Sequence, residues 1–272
     1  MNKLKKKKTW LITGGAGFIG SNLINYLDKN NQKIICIDNF FSGKIKNINN
    51  IKSKNIKIIN GDIRDIEKIK IKSKVHYLVH LAALGSVPRS FKNPIETNAV
   101  NVEGSMKIMI LAKKLRCQKL IFASSSSVYG NSRRTNKREI DPKNPISPYG
   151  ISKLTFENYA EVFSNFYKLK TIGIRLFNVF GPNQSSDGSY SAVIPKWTKG
   201  LINKKKIYLN GDGTTTRDFT YIDNVVNGII LASQNNLKKY YEIFNLACGR
   251  EIKLIYLLNK LISLLNLKKK KY

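Results

Sequence analysis

In the stretch SPYGISK, residues 147–153, a tyrosine and a lysine stand four positions apart. On a helix, positions i and i+4 share a face, so the ring of Tyr149 and the ammonium of Lys153 project into one cleft. Pro148 suits the first turn of such a helix, where its missing N–H does no harm. A phenol with an ordinary pKa near 10 acts as a base at neutral pH only if it is lowered by about three units, roughly 4 kcal/mol of preferential stabilisation of phenolate. A neighbouring ammonium is the group to do that. The reacting oxygen also needs a hydroxyl partner, and FASSSSVYG offers four serines, Ser124 to Ser127. Tyrosine, lysine and serine together form a device for moving a proton on and off an alcohol.

Such a device needs a platform, and the start of the chain describes one. TGGAGFIG places Gly14, Gly17 and Gly20 after the apolar run WLIT and before the helical stretch SNLINYL. In a dinucleotide-binding turn the first glycine permits a tight bend, the second lets a pyrophosphate approach the backbone, and the third lets helix pack on strand. The phosphates then meet the free N–H groups and positive dipole end of a helix. The spacing is GxxGxxG and not the commoner GxGxxG. Asp38, at the end of the next predicted strand, lies near the offset at which an acid holds the adenosine ribose. An acid there repels a 2′-phosphate, so NAD is expected in preference to NADP.

The elements that position these residues follow from period and composition. TWLIT, KIICID, IKIINGD, VHYLVHLAA, KLIFASS and TIGIRLFNV read as strands, and helical patterns lie around 18–29, 98–115 and 149–167. That alternation predicts an α/β chain with a Rossmann-type, doubly wound parallel sheet. Residues 1–180 are expected to form the nucleotide-binding domain. Residues 181–272, starting with a Gly/Pro/Ser-rich loop, are expected to form a smaller substrate lobe interleaved with it. The serines fall at the carboxyl end of the fifth strand, the side on which open α/β sheets bind ligands.

Bulk properties bound the remaining function classes. The 272 residues suffice for a full core, and the net charge of +31 raises nucleic acid or an anionic surface as a partner. The lysines, however, spread along the whole chain with an excess of isoleucine and asparagine. No basic region, zinc-finger spacing or aromatic RNA-binding pattern accompanies them. Neither nucleic acid nor membrane is therefore expected as a partner. Cys36, Cys117 and Cys248 are far apart and form no CxxC pair, which points to a reducing cytoplasm with no disulfide framework and no metal site. The basic, apolar start imitates a signal peptide, but its glycines belong to the nucleotide turn. No apolar run approaches the ~18 residues needed to span a bilayer.

With these residues assembled, the chain resembles an extended short-chain dehydrogenase/reductase of the NAD-dependent epimerase/dehydratase family, over about Thr9 to Leu265. It is most similar to the bacterial UDP-N-acetylglucosamine 4-epimerases within it. AALGSVPRS (82–90), FNVFGPNQ (177–184), SYSAVIPKW (189–197) and NGDGTTTRDFTYI (210–222) carry the narrower resemblance. The resemblance implies that Gly14, Gly17, Phe18, Ile19 and Gly20 hold cofactor phosphates, and that Asp38 and Asn39 hold the adenosine ribose. Asp62 and Ile63 would flank adenine, while Leu81, Ala82 and Ala83 line the way to the nicotinamide. Asn101 would shape the active site from its helix and contact the cofactor region. Ser125, Tyr149 and Lys153 match the catalytic trio, the last two also touching the cofactor. Ser86, Ser126 and Ser127 would lie beside the sugar. Asn178, Ala192, Val193, Tyr208, Asn210 and Arg217 match uridine diphosphate positions. A guanidinium fork suits a diphosphate, although Arg217 could also form a surface ion pair with Asp218. His80 reads as a satisfied core residue.

The implied reaction is 4-epimerisation of a UDP-N-acetylhexosamine or its uronic acid through a 4-keto sugar, serving surface polysaccharide synthesis, in a homodimer built on the helices around 98–115 and 149–167. Other readings stay open: a dehydratase, decarboxylase or reductase acting on a UDP-sugar, or a nucleotide-binding remnant without activity. The remnant reading comes from the family resemblance, whose members extend beyond the point corresponding to Tyr272 and draw further nucleotide contacts from that portion. A dehydratase would be expected to carry an Asp-Glu pair after the serine, which SSSSVYG lacks.

Overall fold

The computed structural model describes residues 4, 6–49, 51, 53–132, 136–186, 192–209 and 211–267. Its strands are β1 (Thr9–Thr13), β2 (Lys33–Asp38), β3 (Ile56–Asn60), β4 (Tyr77–His80), β5 (Lys119–Ser125), β6 (Thr171–Leu176), β7 (Val179–Phe180), β8 (Thr216–Arg217), β9 (Thr220–Tyr221), β10 (Tyr241–Leu246) and β11 (Ile252–Lys253). Its α-helices are α1 (Phe18–Lys29), α2 (Val87–Lys92), α3 (Pro94–Asn98), α4 (Ser105–Lys114), α5 (Pro148–Tyr167), α6 (Val193–Ile202), α7 (Ile222–Gln234) and α8 (Leu254–Leu264).

Every residue of β1 is buried, with Trp10 and Ile12 in the core on one side of the sheet and Leu11 in the core on the other. A strand buried on both faces belongs inside a parallel sheet clothed by helices. The sheet runs β10-β6-β5-β4-β1-β2-β3, and all its pairings are parallel. Helices α1 and α7 cover one face through Leu23, Ile24, Leu27, Val225 and Ile229. Helices α4 and α5 cover the other through Ile108, Met109, Phe156 and Ala160. The strand order runs outward in opposite senses from β1 and β4, so the crevice outside their carboxyl ends is the expected ligand position of a doubly wound sheet.

Beyond residue 180 the chain divides its residues between two tasks. Helix α7 and strand β10 return to the main sheet, β10 as its edge. Helices α6 and α8 build a separate small core around Trp197, Leu201, Ile207, Leu258 and Ile262.

Three predicted elements differ in detail. The run TIGIRLFNV leaves the sheet after Leu176, because Asn178 adopts φ 34° and turns the backbone away; Val179–Phe180 then pairs with β9. The run VHYLVHLAA narrows to Tyr77–His80, its last residues forming the crevice wall. The helix expected around 98–115 is α3 and α4 joined through a π-helical segment, Ala99–Gly104, which holds Asn101. Such widened turns frequently mark functional positions.

Candidate active site

The glycine turn occupies the β1/β4 crevice. Gly14 has φ +72°, and a Cβ on it would stand 2.6 Å from the backbone nitrogen of Ala82. Only glycine fits there. A Cβ on Gly20 would collide with the carbonyl of Gly14, so this glycine sets the packing of α1 against the turn. Gly17 differs from both: its Cβ would meet only the Gly14 carbonyl oxygen, at 3.2 Å. The space beside Gly17 opens into the cleft, and as N-cap of α1 it provides no side chain to cap the helix amides. A bare helix N-terminus facing an open cradle is suited to phosphate. Phe18 and Ile19 form the first helical turn, with side chains packed on the core.

The cleft brings together Gly14, Gly17, Asp38, Asn39, Asp62, Ile63, Leu81, Ala82 and Ala83. Asp38 ties the turn to β2 by accepting the N–H of Ala16 at 2.9 Å and that of Phe40 at 2.8 Å. Asp62 caps the following turn and accepts a fork from Arg64, Nε at 3.0 Å and Nη2 at 2.8 Å. It also accepts Asn39 Nδ2 at 2.8 Å. Hydrogen bonding from Arg64 holds the Asp62 carboxyl down at about 2, against the opposing effect of burial. Arg64 lines the same cleft and had no signal in the sequence beyond its place two residues after Asp62. Glycine cradle, ribose-side acid and apolar wall fit a dinucleotide.

The expected catalytic trio is assembled from two elements. Ser125 ends β5; Tyr149 and Lys153 lie in α5, whose N-cap Ser147 accepts the N–H of Gly150 at 3.1 Å and whose first position is Pro148. Ser125 hydrogen-bonds the Tyr149 phenol and accepts from the backbone and hydroxyl of Ser127 at 3.2 and 2.9 Å. Lys153 Nζ lies 5.9 Å from the Tyr149 ring centroid and donates to the carbonyl of Ala123 at 2.8 Å. Serine, phenol and amine are thus gathered at one strand end.

The electrostatics correct one expectation. Burial raises the Tyr149 phenol above its ordinary value, and the Ser125 hydrogen bond only partly offsets it. Lys153 does not by itself produce the required lowering: burial pulls its own pKa down to about 8, with Glu157 opposing that fall. One of its N–H groups is used on the Ala123 carbonyl, and the amine stands 5.9 Å from the Tyr149 ring centroid. A positive charge delivered to the cleft with a ligand would add to the stabilisation of phenolate.

Other predicted residues act from behind the wall. Asn101, expected near the cofactor, is buried; it accepts the N–H of Leu84 at 2.8 Å and donates to the Leu84 carbonyl at 3.2 Å and to Ser152 Oγ at 3.1 Å. It staples the crevice wall to α5 and does not line the cleft. Ser86 caps α2 by accepting the N–H of Arg89 at 3.2 Å. His80 is the core residue expected: hydrogen-bonded to Thr13 at 2.7 Å and Ser105 at 2.9 Å, and kept neutral by burial, with a pKa near 3.

A second cleft, of about 360 Å³, opens beside the small lobe and is lined by Asn178, Ala192, Val193, Tyr208 and Arg217 together with Trp197 and Phe219. Ala192 and Val193 start α6, which also lacks a side-chain cap. Among the described residues Arg217 forms no ion pair with Asp218. That carboxylate instead accepts the N–H groups of Cys248, Gly249 and Arg250 at 3.0, 2.7 and 3.3 Å. Asn210 lies outside the described residues.

Sequence reasoning passed over a buried polar cluster beneath the serines. Ser124 donates to Glu157, which pairs with Arg175 through Nε at 2.9 Å and Nη2 at 2.7 Å. Arg175 Nη1 reaches the Tyr129 hydroxyl at 2.6 Å, and that hydroxyl donates to Asn245 at 2.7 Å. The signal available for Glu157 was its place four residues after Lys153, on the same helical face.

Comparison with known proteins agrees with this geometry. Residues 10–247 match the profile of the NAD dependent epimerase/dehydratase family. A putative UDP-glucose 4-epimerase of Methanocaldococcus jannaschii is 36% identical over 245 residues, covering 89% of this chain and 77% of the relative. The solved UDP-N-acetylglucosamine 4-epimerase of Methanobrevibacter ruminantium, in complex with UDP-N-acetylmuramic acid, superimposes with TM-score 0.91 at 36% identity, over 96% of this chain and 83% of that one. A dTDP-glucose 4,6-dehydratase of Streptomyces venezuelae solved with NAD gives TM-score 0.87 at 26% identity, over 96% and 82% of the two chains. A nucleotide cradle on the first βα turn, a serine–tyrosine–lysine trio at the neighbouring strand ends and a family match over nearly the whole chain lead to one conclusion: the protein belongs to the NAD-dependent epimerase/dehydratase family of extended short-chain dehydrogenases/reductases, with NAD as its cofactor.

Proposed function

We propose that the protein catalyses the 4-epimerisation of a UDP-N-acetylhexosamine, or of the corresponding uronic acid, by way of a 4-keto sugar. The observation that carries this reading is the set of groups around the trio. The turn after Ser125 presents Ser126 and Ser127, hydroxyls only, where elimination of water would need a carboxyl acid/base pair. Glu157, the carboxylate beneath them, has both oxygens engaged by the Arg175 fork and lines neither cleft. Deprotonation of an alcohol is therefore the step these residues favour. Similarity to an N-acetylglucosamine-type epimerase supports the N-acetyl substrate.

In this mechanism NAD bound in the first cleft supplies a hydride acceptor and donor for the sugar. Tyr149 takes the proton of the C4 hydroxyl while Ser125 donates to the same oxygen, and Lys153 favours the phenolate by its charge. After the keto sugar turns over within the site, Tyr149 returns the proton. Arg217, Asn178 and the start of α6 hold the diphosphate and uridine in the second cleft, with a guanidinium fork and free helix amides meeting the phosphates. Among the described residues no helix is long and apolar enough to cross a membrane. A cytoplasmic role in supplying polysaccharide precursors completes the reading.

The deciding experiment incubates the purified protein with UDP-GlcNAc and UDP-Glc in parallel and identifies the products by NMR. UDP-GalNAc formation with no net consumption of NAD is expected, and Tyr149→Phe should reduce it by about 10² to 10⁴-fold. A lasting 4-keto-6-deoxy product would establish the dehydratase reading instead, and full activity in Tyr149→Phe would remove the mechanism.

A further inference from the structure

Glu157 lies two helical turns beyond Tyr149 and one beyond Lys153, so the three share the inner face of α5. It is almost fully buried, as is Arg175, its partner on β6. Its carboxylate is gripped on three sides: both oxygens by the guanidinium, and one also by the hydroxyl of Ser124 at the end of β5. A carboxylate held this way is fixed in place and serves as the counter-ion of a buried arginine. Arg175 is itself located by the Tyr129 hydroxyl at 2.6 Å and the Glu139 carbonyl at 3.1 Å. Asn245 of β10 locks both ends, accepting from Tyr129 and donating its N–H to the Glu139 carboxylate at 2.7 Å. None of the cluster's residues lines either cleft, and the proposed reaction gives the cluster no role of its own.

We infer that Glu157 is a positioning residue that keeps the buried Lys153 amine protonated, so that the Ser124–Glu157–Arg175 cluster fixes the pH range over which Tyr149 can be turned into a base. Lys153 faces Tyr149 and Glu157 on its own helix and His80 on β4, which is neutral and offers no counter-charge. Glu157 faces Arg175 on β6 and Tyr241 on β10. Among the described residues, Glu157, four positions along the same buried helix face, is the anion that favours the protonated amine, against burial. Arg175 grips the carboxylate from the far side, and among the described residues Glu157 makes no direct ion pair with Lys153, whose amine holds the Ala123 carbonyl instead.

This inference rests on the reading of Tyr149 as the acid/base, and its test needs no turnover. Protein labelled with ¹³C at lysine Cε is titrated in the NAD-bound state, and the Lys153 resonance is assigned by its loss in Lys153→Met. Glu157→Gln should lower the Lys153 midpoint by at least one pH unit, a tenfold change in the protonation constant, while Glu157→Asp leaves it within a few tenths. Should Glu157→Gln fail to fold, the double variant Glu157→Gln/Arg175→Met removes the pair together and should lower the midpoint in the same direction. A folded variant lacking the carboxylate whose Lys153 titrates as in the wild type would overturn the inference. Absence of epimerase activity would count against the proposed function and leave this titration unaffected.

Discussion

The side chains of the trio were legible in the sequence as types and spacing, but their electrostatics were not. Spacing four residues apart on a helix told that Tyr149 and Lys153 meet; it could not tell that Lys153 would be directed to Ala123 or that the phenol would be pushed upward by burial. Those depend on distant segments, β5 and the crevice wall, closing around the pair. A pH dependence follows. The folded pKa of Lys153, about 8, is depressed from an ordinary value near 10.5. Below pH 8 the ammonium is present and favours phenolate; as pH rises through 8 it is lost, so kcat/KM should turn down on the alkaline side. Stability moves oppositely. The desolvation penalty of the charged amine is present at neutral pH and is relieved between about pH 8 and 10.5, because the unfolded chain binds the proton more tightly. Thermal melts of the wild type and of Lys153→Met should therefore converge with rising pH across that window, and a constant difference would contradict the assignment.

Among elements, the six predicted sheet strands and α1 were clear from apolar runs and the glycine turn, whereas β10 was not distinguished. YEIFNL is short and half-buried at the sheet edge, so its composition carries no strong mark. The π-helical segment was equally hidden, because it depends on Asn101 bonding to Leu84, a contact between separate parts of the chain. The glycines of the turn divide into two kinds that experiment can separate. Gly17→Ala adds a methyl group to the open cradle, so it should leave the melting temperature close to that of the wild type while weakening NAD binding at least tenfold by calorimetry. Gly20→Ala forces the methyl group into the backbone of Gly14, so it should cost stability of about 1–3 kcal/mol even without ligand. The reverse pattern would show that the cradle is mislocated.

For the whole molecule, α5 presents a second face opposite the one that carries Tyr149 and Lys153. Ile151, Tyr159, Val162 and Phe166 fall within one apolar stripe, since residues three, four, seven, eleven and fifteen apart return to the same side of a helix. Phe166 is 75% exposed and Val162 65%, and Ile110 of α4 is exposed as well. Contiguous apolar surface of this kind marks association, which supports the proposed homodimer through these two helices. Val162→Asp/Phe166→Asp should yield a monomer in analytical ultracentrifugation with its far-ultraviolet dichroism intact; a dimer of unchanged affinity would exclude this face. The charge of +31 foretold none of this. It describes the surface as a whole and bears on the gathering of anions, not on which helices meet.

Strand β10 makes the order of synthesis matter. Its partner β6 is translated well before it, and Asn245, which secures Tyr129 and Glu139, arrives on the same late strand. Until the ribosome has released β10, a growing chain carries a hydrogen-bonding strand with one side open and an arginine–glutamate pair not yet sealed. Nascent chains halted before Tyr241 should thus be the species that chaperones grip and that self-associate, while release of β10 itself covers the open side of β6 and seals the pair.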